Sequence, residues 1–209
     1  QGVQSRNVGT SVKHFLANNQ EKRRMTSSSD VDERTLREIY LAAFEGAVKK
    51  GKPWTVMNSY NRINGDYVGE SKKYLTDILR GEWGFDGYVM SDWGAVNDRV
   101  EGLKAGLDLE MPSSGGMNDA LIVEAVKDGT LDESVVDTAC ERIIDIIFLY
   151  SENRDKTAKL DLEQDHETAA SIEEECIVLL KNEEDILPLS GEKKVAFIGK
   201  YAEAPRYQG

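Results

Sequence analysis

The chain has 209 residues, 40% of them hydrophobic, which is enough to bury the core of one domain or of parts of two. Lys and Arg number 26 against 38 Asp and Glu; the formal charge of −12 repels phosphate backbones and anionic lipid, so neither nucleic-acid nor membrane partners are expected. No apolar run approaches the roughly 20 residues that span a bilayer, and the longest, "IIDIIFLY", reads as the end of an amphipathic helix.

Cysteine usage narrows the chemistry further. Cys140 and Cys176 stand far apart without a CxxC spacing, and His occurs only twice, so neither a disulfide framework nor a metal site is expected and no cofactor is implied. The opening "QGVQSRNVGTSV" starts in mid-pattern and does not resemble a signal peptide. The compartment stays open, with the reducing cytoplasm favoured.

In chain order, short apolar runs alternate with longer helical patterns, the signature of parallel βα units and an α/β fold. A first strand is expected over 8–15, then a polar loop over 18–32. The segment "DERTLREIYLAAFEGAVKKG" follows, with Leu36, Ile39, Tyr40, Ala43, Phe44 and Val48 on one stripe and Gly51 as its stop. The second strand is "PWTVMNSY", 53–60, after which Asn64-Gly65 signals a tight turn. Helix "SKKYLTDILRGEWG" leads to a third strand over 87–91. "AVNDRVEGLKAG" is read as a helix and "LDLEMP" as a fourth short strand. Two helices follow, over 118–127 and 132–150.

Charge then replaces periodicity. "SENRDKTAKLDLEQ", 151–164, reads as an exposed linker, and a domain boundary is expected near residue 155, giving parts 1–154 and 155–209. The second part is read as a helix over 166–175, a strand-like "CIVLLKN", a turn-rich "EEDILPLSGEK" and a strand "KVAFIG".

Parallel strands followed by helices bring their ends to one rim, where α/β folds carry their sites. The residues at these ends are Lys13 and His14, Asn58 and Tyr60, Asp92 and Trp93, and Glu110 and Met111. Such a row suits a hydroxyl-rich substrate, because each buried hydroxyl without a partner costs about 1–3 kcal/mol. An aromatic ring beside them offers a flat apolar face to a sugar or nucleobase. Structural alternatives stand beside each residue. Lys13 and His14 also fit a solvated strand end, Tyr60 a tethered core ring, Trp93 a packing residue, and Glu110 an outer-rim or salt-bridged group. Asp92 ends the apolar run "YVMS", so it either caps a helix starting at Gly94–Ala95 or performs chemistry. "EKRRM" reads as a solvated basic loop or as an arginine folded over the rim. The glycines of "GEWGFDG" follow a helix, so they are turn glycines and no dinucleotide fingerprint.

Taken together, "KHFLANNQEKRRM", "DERTLREIYLAAFEGAVKK", "PWTVMNSYNRING", "LRGEWGFDGYVMSDWGA" and "AGLDLEMP" resemble the family 3 glycoside hydrolases of the beta-glucosidase type, and "HETAASIEEECIVLLKNEEDILPL" resembles the opening of that family's second domain. The resemblance implies the C-terminal half of a (β/α)8 barrel followed by the beginning of an α/β sandwich domain. It implies Asp92 as catalytic nucleophile and Trp93 as a ring lining the sugar site. Lys13, His14 and Arg24 match residues that hold sugar hydroxyls, Tyr60 a tyrosine touching the nucleophile, and Met57 an apolar neighbour. The implied reaction is retaining hydrolysis of a terminal beta-linked glucose through a covalent intermediate on Asp92, with a beta-glucoside or oligosaccharide as substrate.

The departures from the family pattern carry equal weight. An aspartate and an arginine of the barrel's first half are missing, and the acid/base glutamate belongs to the second domain beyond "APRYQG". The expected partners are therefore the remaining segments of the same enzyme, or another chain completing the barrel, and the chain alone is expected to be inactive. Two rival readings are a Schiff-base aldolase using Lys13 and a non-catalytic sugar-binding fragment.

Overall fold

In the computed structural model, residues 1–191 and 194–206 are described, and the chain divides into a unit Gln1–Thr157 and a unit beginning at Ala158. In the first unit, β1 (Ser11–Phe15), β3 (Thr55–Asn58) and β6 (Tyr88–Ser91) form one parallel sheet in the order β1-β3-β6. Neighbours in the sheet are thus consecutive βα units, which is the arrangement of a (β/α)8 barrel. Thr55 to Asn58 pair with Tyr88 to Ser91 without a slip, whereas β1 shifts register between Val12 and Phe15.

The helical crossovers cover one face of this sheet. Segment α1, residues 33–51, starts at Asp32, whose side chain accepts from the Thr35 N–H at 3.0 Å. It alternates ordinary turns with wider π turns at Leu36–Tyr40 and Ala47–Gly51, and α2 (Lys73–Glu82) is π-helical throughout. Leu36, Leu41 and Val48 of α1 and Leu75, Ile78 and Leu79 of α2 bury against Phe15, Val56 and Val89 of the strands. Each such side chain contributes about 1.5–3 kcal/mol. The Phe15 ring stands edge-on to Phe44 (5.2 Å) and Trp83 (6.0 Å), which anchors the end of β1. Gly87 lets β6 start close to its neighbour, since a Cβ there would collide with the Trp54 carbonyl.

A second sheet, β2 (Ser28–Ser29), β4 (Arg62–Ile63) and β5 (Asp66–Tyr67), lies partly in the loop expected over 18–32. Its hairpin closes at Asn64 (φ 51°) and Gly65 (φ 97°), both left-handed as a two-residue turn of this kind requires.

Two expectations about the third and fourth units are corrected. α3 (Arg99–Ala105) begins only at Asp98, whose carboxylate accepts from the Glu101 N–H, so Ala95 and Val96 precede the helix. The fourth strand shrinks to a single bridge between Met90 and Leu109. Backbone bonds remain, from Ser91 N–H to the Leu109 carbonyl (2.9 Å) and from the Asp108 and Leu109 N–H groups to the Val89 carbonyl (both 3.0 Å), and side chains reinforce them: Asp108 takes the Val89 N–H (2.7 Å), Arg80 (2.6 Å) and Arg142 (2.8 Å), while Arg99 donates to the Leu107 and Asp108 carbonyls. Segment 107–111 is therefore fixed beside β6 by a few backbone bonds and an ion cluster centred on the buried Asp108.

α4 (Met117–Lys127) and α5 (Glu133–Asn153) pack through Ala125 and Ala139, with Leu131 of the turn between them, against Leu103 of α3. α5 runs three residues into the expected linker, because Asp132 caps its start and its apolar periodicity continues to Tyr150. No described helix is long and apolar enough to cross a membrane.

In the second unit, α6 (Leu162–Cys176) starts at Asp161, again inside the expected linker. The strands expected at "CIVLLKN" and "KVAFIG" do not form. A strand exists by its ladder to a neighbour, and no described segment pairs with these runs, whose Leu180 and Ile198 are 92% and 90% exposed.

Candidate active site

The site forms where β1, β3 and β6 end. The Asp92 N–H donates to the Asn58 carbonyl (3.2 Å), extending the β3–β6 ladder one step past Ser91 and fixing the aspartate's backbone at the rim. Its Oδ1 accepts from the N–H of Trp93 at 2.7 Å. Oδ2 faces His14 Nε2 at 3.6 Å, an ion pair only when the imidazole is protonated, and the Asp92 side chain keeps 11% of its surface exposed. Gly94, at φ 78°, turns the chain away and donates its N–H to the Met111 carbonyl. Because the next helix starts at Asp98, the capping explanation for Asp92 is removed.

Around the carboxylate, Tyr60 is buried and its hydroxyl donates to the Trp93 carbonyl at 2.9 Å. Burial holds this phenol above its ordinary pKa, and hydrogen bonding and negative charge from the adjoining Asp92 raise it further. The Arg24 guanidinium lies over the Tyr60 ring, 4.6 Å from its centre, and pairs with Glu21 at 3.1 Å. The ring of Trp93 stands 64% exposed, which rules out a packing role within this chain and leaves a flat apolar surface at the rim.

The remaining expected residues fall differently. Met57 pairs in register with Met90 on the sheet face opposite Val56 and is half-buried. Lys13 is exposed and lines, with His14, a hollow of about 400 Å³ against Ile39, Tyr40, Ala43 and Phe44 of α1. It makes no ion pair with Asp92, and it lacks the desolvation that an imine-forming lysine uses. Glu110 accepts from Asn118 Nδ2 at 2.7 Å, on the helix side of the rim.

Sequence reasoning passed over two serines that build the rim. Ser91 Oγ accepts from the Met111 N–H (2.8 Å) and donates to its carbonyl (3.2 Å). Ser59 Oγ does the same to Leu16, at 2.9 and 3.0 Å. Each hydroxyl continues the sheet where the backbone ladder stops. Their signal was a small polar residue directly after an apolar strand, in "MNSY" and "MSDW".

Comparison with known proteins shows the family of the chain. The Glycosyl hydrolase family 3 N terminal domain matches residues 1–146. The "Thermostable beta-glucosidase B" of Acetivibrio thermocellus is 56% identical over 208 residues, covering 100% of this chain and 28% of that protein. An exo-alpha-(1->6)-L-arabinopyranosidase of Bifidobacterium longum is 46% identical, over 100% of this chain and 29% of its own length. Among solved structures, the family 3 beta-glucosidase of Bifidobacterium adolescentis superposes with a TM-score of 0.85 at 47% identity, over 100% of this chain and 31% of that one. Beta-glucosidase 3B of Thermotoga neapolitana in complex with alpha-D-glucose gives 0.81 at 46%, over 90% and 28%. The chain thus spans under a third of the length of these relatives. On the domain match and these identities, the chain belongs to glycosyl hydrolase family 3.

Proposed function

We propose that this chain is the nucleophile-bearing segment of a retaining, exo-acting glycosidase of the beta-glucosidase type. The observation that carries the reading is the posture of Asp92: backbone locked to β3, Oδ1 tethered by Trp93, and the carboxylate partly open beside His14, Tyr60 and the exposed Trp93 ring. In this reading an Asp92 oxygen attacks C1 of a terminal sugar as the glycosidic bond breaks, and a carboxylic acid from outside this chain gives its proton to the departing oxygen. Water, deprotonated by that same second group, then displaces Asp92 from C1, and the original anomeric configuration returns.

Trp93 offers its face to the ring, while His14 and Arg24 are within reach of hydroxyls, with Lys13 and Met57 completing the pocket once sugar is bound. The names of the relatives support a beta-glucoside as substrate. The arabinopyranosidase relative leaves the sugar itself to competition assays, because beta-D-glucopyranosides and alpha-L-arabinopyranosides both present an equatorial leaving group. Alone, the chain would lack the proton donor and be inactive; the complete enzyme would be supplied by further segments.

The test is Asp92→Gly in the complete enzyme, assayed with an activated aryl beta-glucoside. Turnover should fall by at least about 10³-fold, in line with loss of a covalent nucleophile. Added azide should restore rate and yield the alpha-glycosyl azide, since a small anion fills the vacated position. Undiminished turnover would refute the assignment.

A further inference from the structure

The loop that carries Arg24 does not hold itself in place. Its internal bonds are all local: the Arg24 N–H to the Glu21 carbonyl (3.3 Å), the Arg24 guanidinium to the Glu21 carboxylate (3.1 Å), Gln20 Nε2 to the Lys22 carbonyl (2.9 Å), and the Thr26 N–H, Ser27 N–H and Thr26 hydroxyl to the Arg23 carbonyl (2.9, 2.8 and 3.4 Å), with Arg23 itself left-handed at φ 58°. Met25 is 51% exposed, so apolar burial does not pin the loop tip. Besides the Ser29 hydroxyl, which donates to the Ala17 carbonyl (2.9 Å), what holds it is the hairpin β4–β5, which in turn is rooted in the core by Ile63 and the adjoining Val68, 1% and 0% exposed.

The connection runs in two rows. At the base, Ser28 and Ser29 pair with Arg62 and Ile63, and the Asn64 side chain binds both the N–H (2.8 Å) and the carbonyl (2.9 Å) of Val31. At the tip, the Tyr67 hydroxyl donates to the carbonyl of Met25 at 3.3 Å, next to Arg24. That hydroxyl accepts from Arg62 Nη2 at 3.1 Å, and the same guanidinium lies 4.4 Å from the centre of the Tyr67 ring. The phenol is therefore held from both sides, with its one proton directed at the loop.

We propose that Tyr67, backed by Arg62, is a positioning residue that sets where Arg24 stands over Tyr60, and hence how the site receives sugar hydroxyls. Tyr67 is placed to act on the loop and not on the sugar. This inference rests on the reading of Arg24 as a sugar-binding group.

The test is a double-mutant cycle in the complete enzyme, with Tyr67→Phe, Arg24→Ala and the pair, using 4-nitrophenyl beta-D-glucoside for kinetics and glucose for calorimetric binding. Tyr67→Phe removes one hydroxyl while keeping the ring under Arg62. It should raise KM and the glucose Kd about 3- to 10-fold with kcat changed less than about 2-fold, in the range of one lost hydrogen bond. In the Arg24→Ala background the same change should have no further effect. A second lesion, Asn64→Gly, keeps the left-handed turn, removes both bonds to Val31 and should couple to Arg24 in the same way. If the effects of Tyr67→Phe and Arg24→Ala simply add, or Tyr67→Phe leaves KM unchanged while Arg24→Ala raises it, the positioning role is wrong. If Arg24→Ala itself leaves KM and Kd unchanged, the binding role of Arg24 fails, and this inference with it, without touching Asp92.

Discussion

Asp92 and Tyr60 show how two buried oxygens divide the work at the rim. The carboxylate accepts from the Trp93 N–H while the Asp92 backbone is tied to the Asn58 carbonyl, and the phenol beside it is kept protonated by burial first and by Asp92 second. A raised phenol pKa means that the neutral form is favoured in the fold, so this residue stays a proton donor well into alkaline conditions. Neutralising the carboxylate removes the second cause and leaves the first. In Asp92→Asn, the Tyr60 pKa should therefore fall, yet remain above the ordinary 10.0. The difference in ultraviolet phenolate titration between Asp92→Asn with and without Tyr60→Phe measures it. An unmoved or higher value would mean that the two groups do not interact.

At the scale of elements, the sheet and its helices were largely legible. Apolar runs ending in Phe15, Asn58 and Ser91 became the three parallel strands, and Asn64-Gly65 became the predicted turn. Asp92, Tyr60, Arg24 and His14 were gathered at one rim from positions far apart in sequence. What sequence pattern did not disclose has physical reasons. The π turns of α1 and α2 keep an apolar stripe compatible with ordinary helix, so periodicity does not distinguish them. Segment 107–111 alternates apolar and acidic residues like a short strand, but beyond a few backbone bonds to β6 it is held through the side chains of Asp108 and Ser91, a tertiary arrangement no local pattern encodes. The position of Lys13 against α1 likewise depends on how β1 ends.

The Asp108 cluster yields the element-scale prediction. Asp108 is almost wholly buried, and burial pushes the Arg80 guanidinium down to about 10 against the pull of Asp108. Asp108→Asn would leave Arg80, largely buried, and Arg142, half-buried, without the carboxylate both contact. A loss of about 3–5 kcal/mol in unfolding free energy is expected by urea denaturation. A loss under about 1 kcal/mol would show that hydrogen bonds alone hold the segment.

The whole molecule presents surfaces that await company. In the first unit, the distal half of α5 exposes the apolar residues Ile144, Ile147, Phe148, Leu149 and Tyr150 on a chain whose net charge of −12 otherwise favours solvation. In the second unit, Ile177 to Leu180 are exposed without a ladder. Both are what a segment of a longer enzyme would show, and the relatives are more than three times as long as the part matched. We propose that further segments of that enzyme cover these faces and bring the acid/base group opposite Asp92, about 5–5.5 Å away as retention requires.

The most direct measurement is made on that complete enzyme. It is incubated with an activated 2-fluoro-beta-glucoside, which slows release of the glycosyl ester, and then digested and sequenced by mass spectrometry. One fluoroglucosyl group is expected, on the peptide containing Ser91-Asp92-Trp93 and lost in Asp92→Asn. A label carried by any other carboxylate would contradict Asp92 as the nucleophile.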